Sequence, residues 1–166
     1  MEPRVREARP DDAAEVVRIL NPIIEAGAFT VLDTPFSVEA ERRFIESFPA
    51  RGIFHVAEDR AAGSLLGFQD VSPFADYTRA FDHVGVIGTF VDLSLRRQGI
   101  ARRLFLATFE AARLKGYEKF FTFIRADNEA ALATYRRHGF EVIGTARRQA
   151  RMKNGYVDEI LVEVFL

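Results

Sequence analysis

Four arginines crowd around one glycine in the segment SLRRQGIARRLF, where Arg96, Arg97, Arg102 and Arg103 flank Gly99. Such a cluster can be a solvated helix face, a nucleic-acid patch or a cradle for a phosphorylated ligand. The local pattern suits a phosphate cradle and a helix start with solvated arginines about equally. An apolar strand runs into the short turn LSLRR, and an amphipathic helix begins near Gly99. The first N–H groups of a helix have no partner within it, so that end attracts anions. Glycine permits close approach there, Ala101 keeps the next turn open, and the arginines add charge-assisted bonds. The segment lacks the three glycines of a dinucleotide fingerprint and the Gly-Lys-Ser/Thr of a triphosphate loop.

A second group of polar residues opens and lines a later helix in NEAALATYRRHGF. Asn128 stands at its start, where it serves as a cap or meets a ligand. Tyr135 follows about two turns on, along the same face. Asp70 closes one strand, and Asp82 and His83 open another. The two aspartates sit where turn formers usually do, and His83 reads as an ordinary partly exposed histidine. The three histidines, His55, His83 and His138, are scattered without metal-ligand spacing, so no metal site is expected.

Composition narrows the classes. Formal net charge is −1 over 166 residues, so the arginine cluster is local and a general nucleic-acid surface is not expected. There are no cysteines, which excludes disulfides, thiolate catalysis and cysteine-bound metals. No apolar run reaches membrane-spanning length, and MEPRVREARPDDAAE is too charged for a signal peptide, so a cytoplasmic protein is the expectation.

The elements that must position these residues can be read in order. RVREA is a short strand. PDDAAEVVRILNPIIEAG is a helix with a capping box expected between Asp12 and Glu15, kinked or ended by Pro22. Ser37 caps the next helix, VEAERRFIESF. IFHVAED and GSLLGFQDV form a hairpin, and HVGVIGTFVD reads as a strand buried on both faces. A helix from about Gln98 to Lys115 turns Ile100, Leu104, Ala107, Ala111 and Leu114 inward and stops at Gly116. The strand EKFFTFI, the helix closed by Gly139, and a final hairpin through KNG complete the order βααβββαβαββ. That is an α/β (α+β) domain over residues 1–166, with a mixed, mostly antiparallel sheet of seven strands and helices on both faces.

RRQGIA resembles the Arg/Gln-x-x-Gly-x-Gly/Ala signature of the GCN5-related N-acetyltransferase (GNAT) family, with Ala101 at the small-residue position. NEAALATYRRHGF is similar to that family's Asn-x-x-Ala…Tyr-x-x-x-Gly-Phe segment. The spacing and element order agree along nearly the whole chain. The resemblance implies a sheet splayed between the fourth and fifth strands, with acetyl-coenzyme A in the gap. It assigns the pyrophosphate to Arg96, Arg97, Gln98, Gly99, Ile100, Ala101 and Arg102, and the arm to the main chain of Phe90 and Val91. It gives Asn128 a contact with the pantetheine, and Tyr135 the role of general acid to the sulfur.

AFTVLDTPF, SPF and KNGYVDEILVE are similar to the branch that acetylates phosphinothricin and methionine sulfoximine. That branch usually places a glutamate in the fourth strand, near Val86 here, but this strand carries no carboxylate from Val84 to Val91. The resemblance therefore leaves Asp82, His83 or Asp70 as the base. The acceptor pocket is expected from Phe29, Thr30, Phe36, Asp70, Phe74 and Tyr77. The function implied is transfer of acetyl to a primary amine of a small metabolite, with a homodimer as the assembly. The alternatives are a coenzyme A-binding sensor without catalysis and an enzyme acting on protein N-termini or lysines.

Overall fold

The computed structural model describes residues 1–166. Chain order is β1 (Pro3–Glu7), α1 (Ala13–Glu25), α2 (Val38–Glu46), β2 (Ile53–Asp59), β3 (Leu65–Pro73), β4 (Val84–Val91), α3 (Ile100–Leu114), β5 (Lys119–Arg125), α4 (Glu129–Arg137), β6 (Glu141–Met152) and β7 (Gly155–Phe165). The expected βααβββαβαββ order is present. One seven-stranded sheet runs β1-β2-β3-β4-β5-β7-β6. Every neighbouring pair is antiparallel except β4 and β5.

That parallel pair is also the weakest. β4 and β5 are matched only at Val84–Lys119, Gly85–Phe120 and Val86–Phe121. Their outer partners hold on much further, β3–β4 as far as Gly67–Val91 and β5–β7 as far as Arg125–Glu159. From Ile87 and Thr122 onward the two strands part, and their facing edges keep unpaired N–H and C=O groups. This is the splay that the resemblance implied. It also corrects the reading of β4 as buried on both faces, since Val84, Gly85 and Ile87 are buried but Gly88 to Val91 are only partly so.

Alternation along the strands divides the core. Phe54, Val56 and Phe68 pack under α1 and α2, against Val16, Ile19, Ile23 and Ile45. Val71, Ile87 and Phe120 pack on the other face with Phe105, Tyr135 and Phe140, beneath α3 and α4. The buried stripe of α3 is Ile100, Leu104, Phe105, Thr108 and Ala112, rotated from the expected one, and Leu114 is 84% exposed. Thr108 is tolerated inside because its hydroxyl meets Nδ1 of His55 at 2.9 Å.

Ser37 caps α2 as expected, accepting from Ala40 N–H at 3.1 Å. The capping box between Asp12 and Glu15 does not form. Both Asp12 oxygens accept from Arg6 at 2.8 Å, and Oδ2 also accepts from the Arg9 N–H at 2.7 Å. Glu15 turns to Arg18 and the Leu65 N–H. α1 also runs on through Pro22 to Glu25.

Burial alone would raise the Asp12 pKa, but the Arg6 bonds and the Arg9 N–H outweigh it, and the net direction is down. A carboxylate depressed in the folded state adds stability that is present above its unfolded pKa. That stability is lost as pH falls through the folded value. Asp12→Asn should cost about 1–3 kcal/mol at neutral pH, the usual worth of a charged hydrogen bond. The difference from the parent should shrink in acid, which urea melts at pH 7 and pH 3 would measure.

Candidate active site

The splay opens into a cleft of about 1190 Å³. Its walls are the free edge of β4 from Ile87 to Val91, the start of α3, β5 from Thr122 to Arg125, α4, and residues Phe29 to Val31. Phe90, Val91, Arg96, Arg97, Gly99, Ile100, Ala101 and Arg102 all line it, whereas Gln98 does not.

The turn before α3 has a distinctive backbone. Arg97 and Gly99 both have left-handed backbone, with φ 63° and 76°. Positive φ at these alternate positions helps turn successive N–H groups toward one concavity. The helix behind adds its own unpaired N–H groups and the positive end of its dipole. A Cβ on Gly99 would meet nothing within 4 Å, so the space beside it is open. Asp92 fixes the approach by capping the preceding turn through the Ser94 N–H at 2.9 Å, and it pairs with Arg18 at 2.7 Å. The guanidinium of Arg96 lies 4.0 Å over the Phe29 ring. Arg103 points elsewhere, into a shallow groove with Glu110 and Leu106.

Tyr135 is 6% exposed and borders the same cleft. Phe105 and Phe140 hold its ring edge-on, at 5.3 and 4.9 Å between centroids. Its hydroxyl meets Thr89 Oγ1 at 3.0 Å, and Gln69 Nε2 donates to that same Thr89 oxygen at 2.8 Å. Gln69 is fully buried and its Oε1 has no partner. Thr89 thus receives one proton from Gln69 and can give its own to the tyrosine oxygen, leaving the tyrosine O–H free to point into the cleft. Burial drives the tyrosine pKa well above its usual value, with the Thr89 bond acting weakly the other way. Burial thus favours the protonated phenol.

Asn128 caps α4, its Oδ1 accepting from the Ala131 N–H at 3.1 Å. Its Nδ2 also donates to the Phe29 carbonyl at 3.0 Å. The side chain therefore ties the loop after α1 to the cleft wall, and only its remaining amide hydrogen is free for a ligand. Arg125 reinforces the tie, donating to the Gly27 and Thr30 carbonyls at 3.0 Å and pairing with Asp127 at 2.7 Å.

Of the expected acceptor residues, Phe29 and Thr30 line the cleft, whereas Phe36, Phe74 and Tyr77 do not. Phe74 and Tyr77 both pack on Phe81, and Phe74 also meets Phe121, which in turn packs on Phe123 at the cleft. Phe36 lies beside α1, its backbone bonded to the Asn21 side chain. Asp82 and His83 are not brought to the cleft. They precede β4 at its closed end, roughly 15–20 Å along the strand from Gly88 at about 3.3 Å per residue. There Arg51 and Arg79 stand 3.5 and 3.6 Å from the Asp82 carboxylate. Asp70 does not line the cleft either, but it is the cross-strand partner of Gly88, which does.

Four residues of the site carried no local signal in the sequence. Gln69 and Thr89 are set beside Tyr135 only by strand register. Gly88 matters for what it lacks. Glu159 is buried at the cleft through its pairing with Arg125 on β5. The strand alternation of GSLLGFQDV would have put Gln69 and Asp70 on opposite faces, but not against which partners.

A sheet splayed between β4 and β5, with a helix start on one side of the gap and a buried tyrosine on the other, frames the cleft. Residues 21–140 match the acetyltransferase (GNAT) family, and the chain belongs to it. It is 35% identical over 147 residues to the mycothiol acetyltransferase of Mycolicibacterium vanbaalenii, covering 83% of this chain and 45% of that protein. It is 36% identical over 99 residues to the N-alpha-acetyltransferase RimI of Mycobacterium tuberculosis, covering 59% of each. The chain spans about half the length of the mycothiol acetyltransferases it matches. The same fold is seen in an N-acetyltransferase from Staphylococcus aureus, with TM-score 0.90, 24% identity and 99% of both chains covered. It is also seen in a phosphinothricin acetyltransferase from Sinorhizobium meliloti solved with acetyl-coenzyme A, with TM-score 0.89, 19% identity, and 100% of this chain and 89% of that one covered.

Proposed function

We propose that this chain is an acetyl-coenzyme A-dependent N-acetyltransferase acting on a primary amine of a small molecule, with residues 1–166 as one catalytic domain. The observation that carries the reading is a single cleft in which the free edge of β4 connects the Gly99 anion site to the hydroxyl of Tyr135. Coenzyme A fits those groups. Its phosphates suit the N–H groups from Arg97 to Ala101, with Arg96 and Arg102 at the rim. Its amide-bearing arm suits the unpaired main chain of Phe90 and Val91, in the manner of an added strand. When bound, the coenzyme supplies an acetyl thioester and a thiol leaving group.

The chain's own residues do the rest. Main-chain N–H groups on the free edge of β4 orient and polarise an acyl carbonyl. Tyr135 holds a proton for the departing sulfur, and Thr89 and Gln69 fix its direction. The remaining hydrogen of Asn128 Nδ2 is available to the arm. Phe29, Phe90 and Phe123 keep water from the reacting atoms.

Relatives named for mycothiol and for phosphinothricin support a small-molecule acceptor for this chain. A relative named N-alpha-acetyltransferase favours a peptide N-terminus instead. Free-thiol release with acetyl-coenzyme A, measured across small amines, amino-acid analogues and peptides, decides between them. Turnover restricted to peptides would overturn the small-molecule acceptor. Tight coenzyme binding with no turnover on any amine would make the protein a sensor. A homodimer is the assembly we propose, supported by β6, a long and largely exposed strand at the sheet edge. A monomer in sedimentation equilibrium would refute it.

A further inference from the structure

We propose that Asp70 is the general base, taking a proton from the acceptor's ammonium nitrogen across the bare backbone of Gly88. The assignment rests on the N-acetyltransferase reading above. β4 has no carboxylate of its own, yet the structure sets one over it. Asp70 is the cross-strand partner of Gly88. A Cβ on Gly88 would stand 3.3 Å from Asp70 Oδ1 and 3.4 Å from Oδ2. The carboxyl group therefore lies in tight contact with the point where a side chain of β4 would begin. The Phe90 ring edge stands 3.3 Å from the same point, and with no side chain on Gly88 only that ring and the β4 backbone separate the carboxyl group from the cleft.

Alternation places the two proton groups on opposite faces of one strand. Thr89 turns toward α4 and holds Tyr135, while Gly88 turns toward α1 and α2 and lies under Asp70. An acyl group at the free edge of β4 then has a donor on one side and an acceptor on the other. Asp70 forms no ion pair, unlike Asp12, Asp82, Asp92 and Asp127. Its cross-strand neighbour on β2 is Phe54, and Phe68 and Phe90 stack beside it at 4.9 Å. The charged groups around it are few. Glu41 of α2 is buried and adds a like charge. Tyr135 lies beyond β4. Glu159 and Arg125 sit across the splay, with Arg125 committed to Asp127 and two loop carbonyls. Burial first, and Glu41 second, push the Asp70 pKa up to about 7. A base poised near the working pH exchanges protons most effectively.

The balance closes without another reactant. The ammonium gives one proton to Asp70, and its nitrogen lone pair forms the bond to the acetyl carbon. The carbon–sulfur bond breaks, and its electron pair leaves on sulfur, which takes the Tyr135 proton. The second N–H proton returns to Tyr135. Ammonium and thioester become amide, thiol and one proton, which Asp70 passes to water.

The test compares two acceptors with the full chain at saturating acetyl-coenzyme A. 2-Phenylethylamine is protonated at pH 7, and methoxyamine is already neutral. In the parent, kcat/KM for 2-phenylethylamine should rise as pH passes about 7. Asp70→Asn should lose that limb and at least about tenfold in rate with 2-phenylethylamine, but under about twofold with methoxyamine. Gly88→Ala, which crowds the carboxyl group, should show the same selectivity more weakly. Equal losses with both amines, or a limb that disappears in Glu159→Gln instead, would overturn the assignment.

A readout independent of turnover is the carbon NMR spectrum of protein labelled at aspartate carboxyls. The signal missing from Asp70→Asn should titrate near pH 7, and a midpoint near the ordinary value of about 3.9 would also overturn the base. Asn is a neutral isostere of an unpaired, half-buried acid, so that variant should fold. If the parent turns over neither amine, the small-amine reading fails first, and the titration of Asp70 still decides whether a base is present.

Discussion

Gly99→Glu should abolish coenzyme A binding while leaving the fold intact. Two effects act together. The first is conformational: Gly99 has φ 76°, and an L-residue in the left-handed region costs about 1–2 kcal/mol. The second is electrostatic, because the new carboxylate would enter the open space beside the N–H groups proposed to bind phosphate. Like charges there oppose the ligand, and the carboxylate itself satisfies the helix N-terminus in its place. Gly99→Ala separates the two effects, since it carries the strain without the charge. Calorimetric titration with coenzyme A should show a modest loss for alanine and no measurable binding for glutamate. Arg97→Ala and Arg102→Ala should each weaken binding by about two- to fivefold, as expected of exposed charge contacts worth roughly 0.5–1 kcal/mol. Their effect should fade as salt rises. Unchanged affinity in the glutamate variant, with an unaltered circular dichroism spectrum, would remove the anion site from the proposal.

The helix start at Gly99 was legible in the sequence because all its parts are local. Strand, turn, glycine and helix follow one another between Val84 and Leu114, and their order alone sets Gly99 at a helix start. The order of the seven strands was legible for the same reason, through period and turn residues. What could not be read depends on register or on competition between partners. Asp82 and His83 look as plausible as Asp70 along the chain, and only the pairing of β3 with β4 puts one at Gly88 and leaves the others at the closed end. Asp12 has the residues for a capping box, but Arg6 reaches it from β1 and makes two short bonds to it. The inward face of α3 shifts because a buried His55 offers Thr108 a partner, which lets a polar residue replace an apolar one in the stripe. In each case a side chain from a distant segment decided the outcome.

Tyr135→Phe should lower kcat by at least about tenfold, within the ~10²–10⁴-fold range that general acid–base catalysis supplies, with acetyl-coenzyme A affinity nearly unchanged. The substitution removes one oxygen and leaves the ring between Phe105 and Phe140, so packing is kept. It also strands the Thr89 hydroxyl, which loses its 3.0 Å partner but retains the Gln69 donor. A stability loss of about 0.5–1.5 kcal/mol is therefore expected alongside the kinetic one. Thr89→Val distinguishes the two roles. It leaves the tyrosine proton in place but removes the group that directs it, so kcat should fall less than in Tyr135→Phe. In both variants the loss should appear in kcat rather than in KM for the coenzyme. Because burial holds the tyrosine protonated through neutral pH, the acid limb of the rate profile should keep its midpoint in Tyr135→Phe. That limb belongs to Asp70 in the proposed scheme. Full activity in Tyr135→Phe would return this residue to the core, and sulfur would then take its proton from water admitted through the cleft.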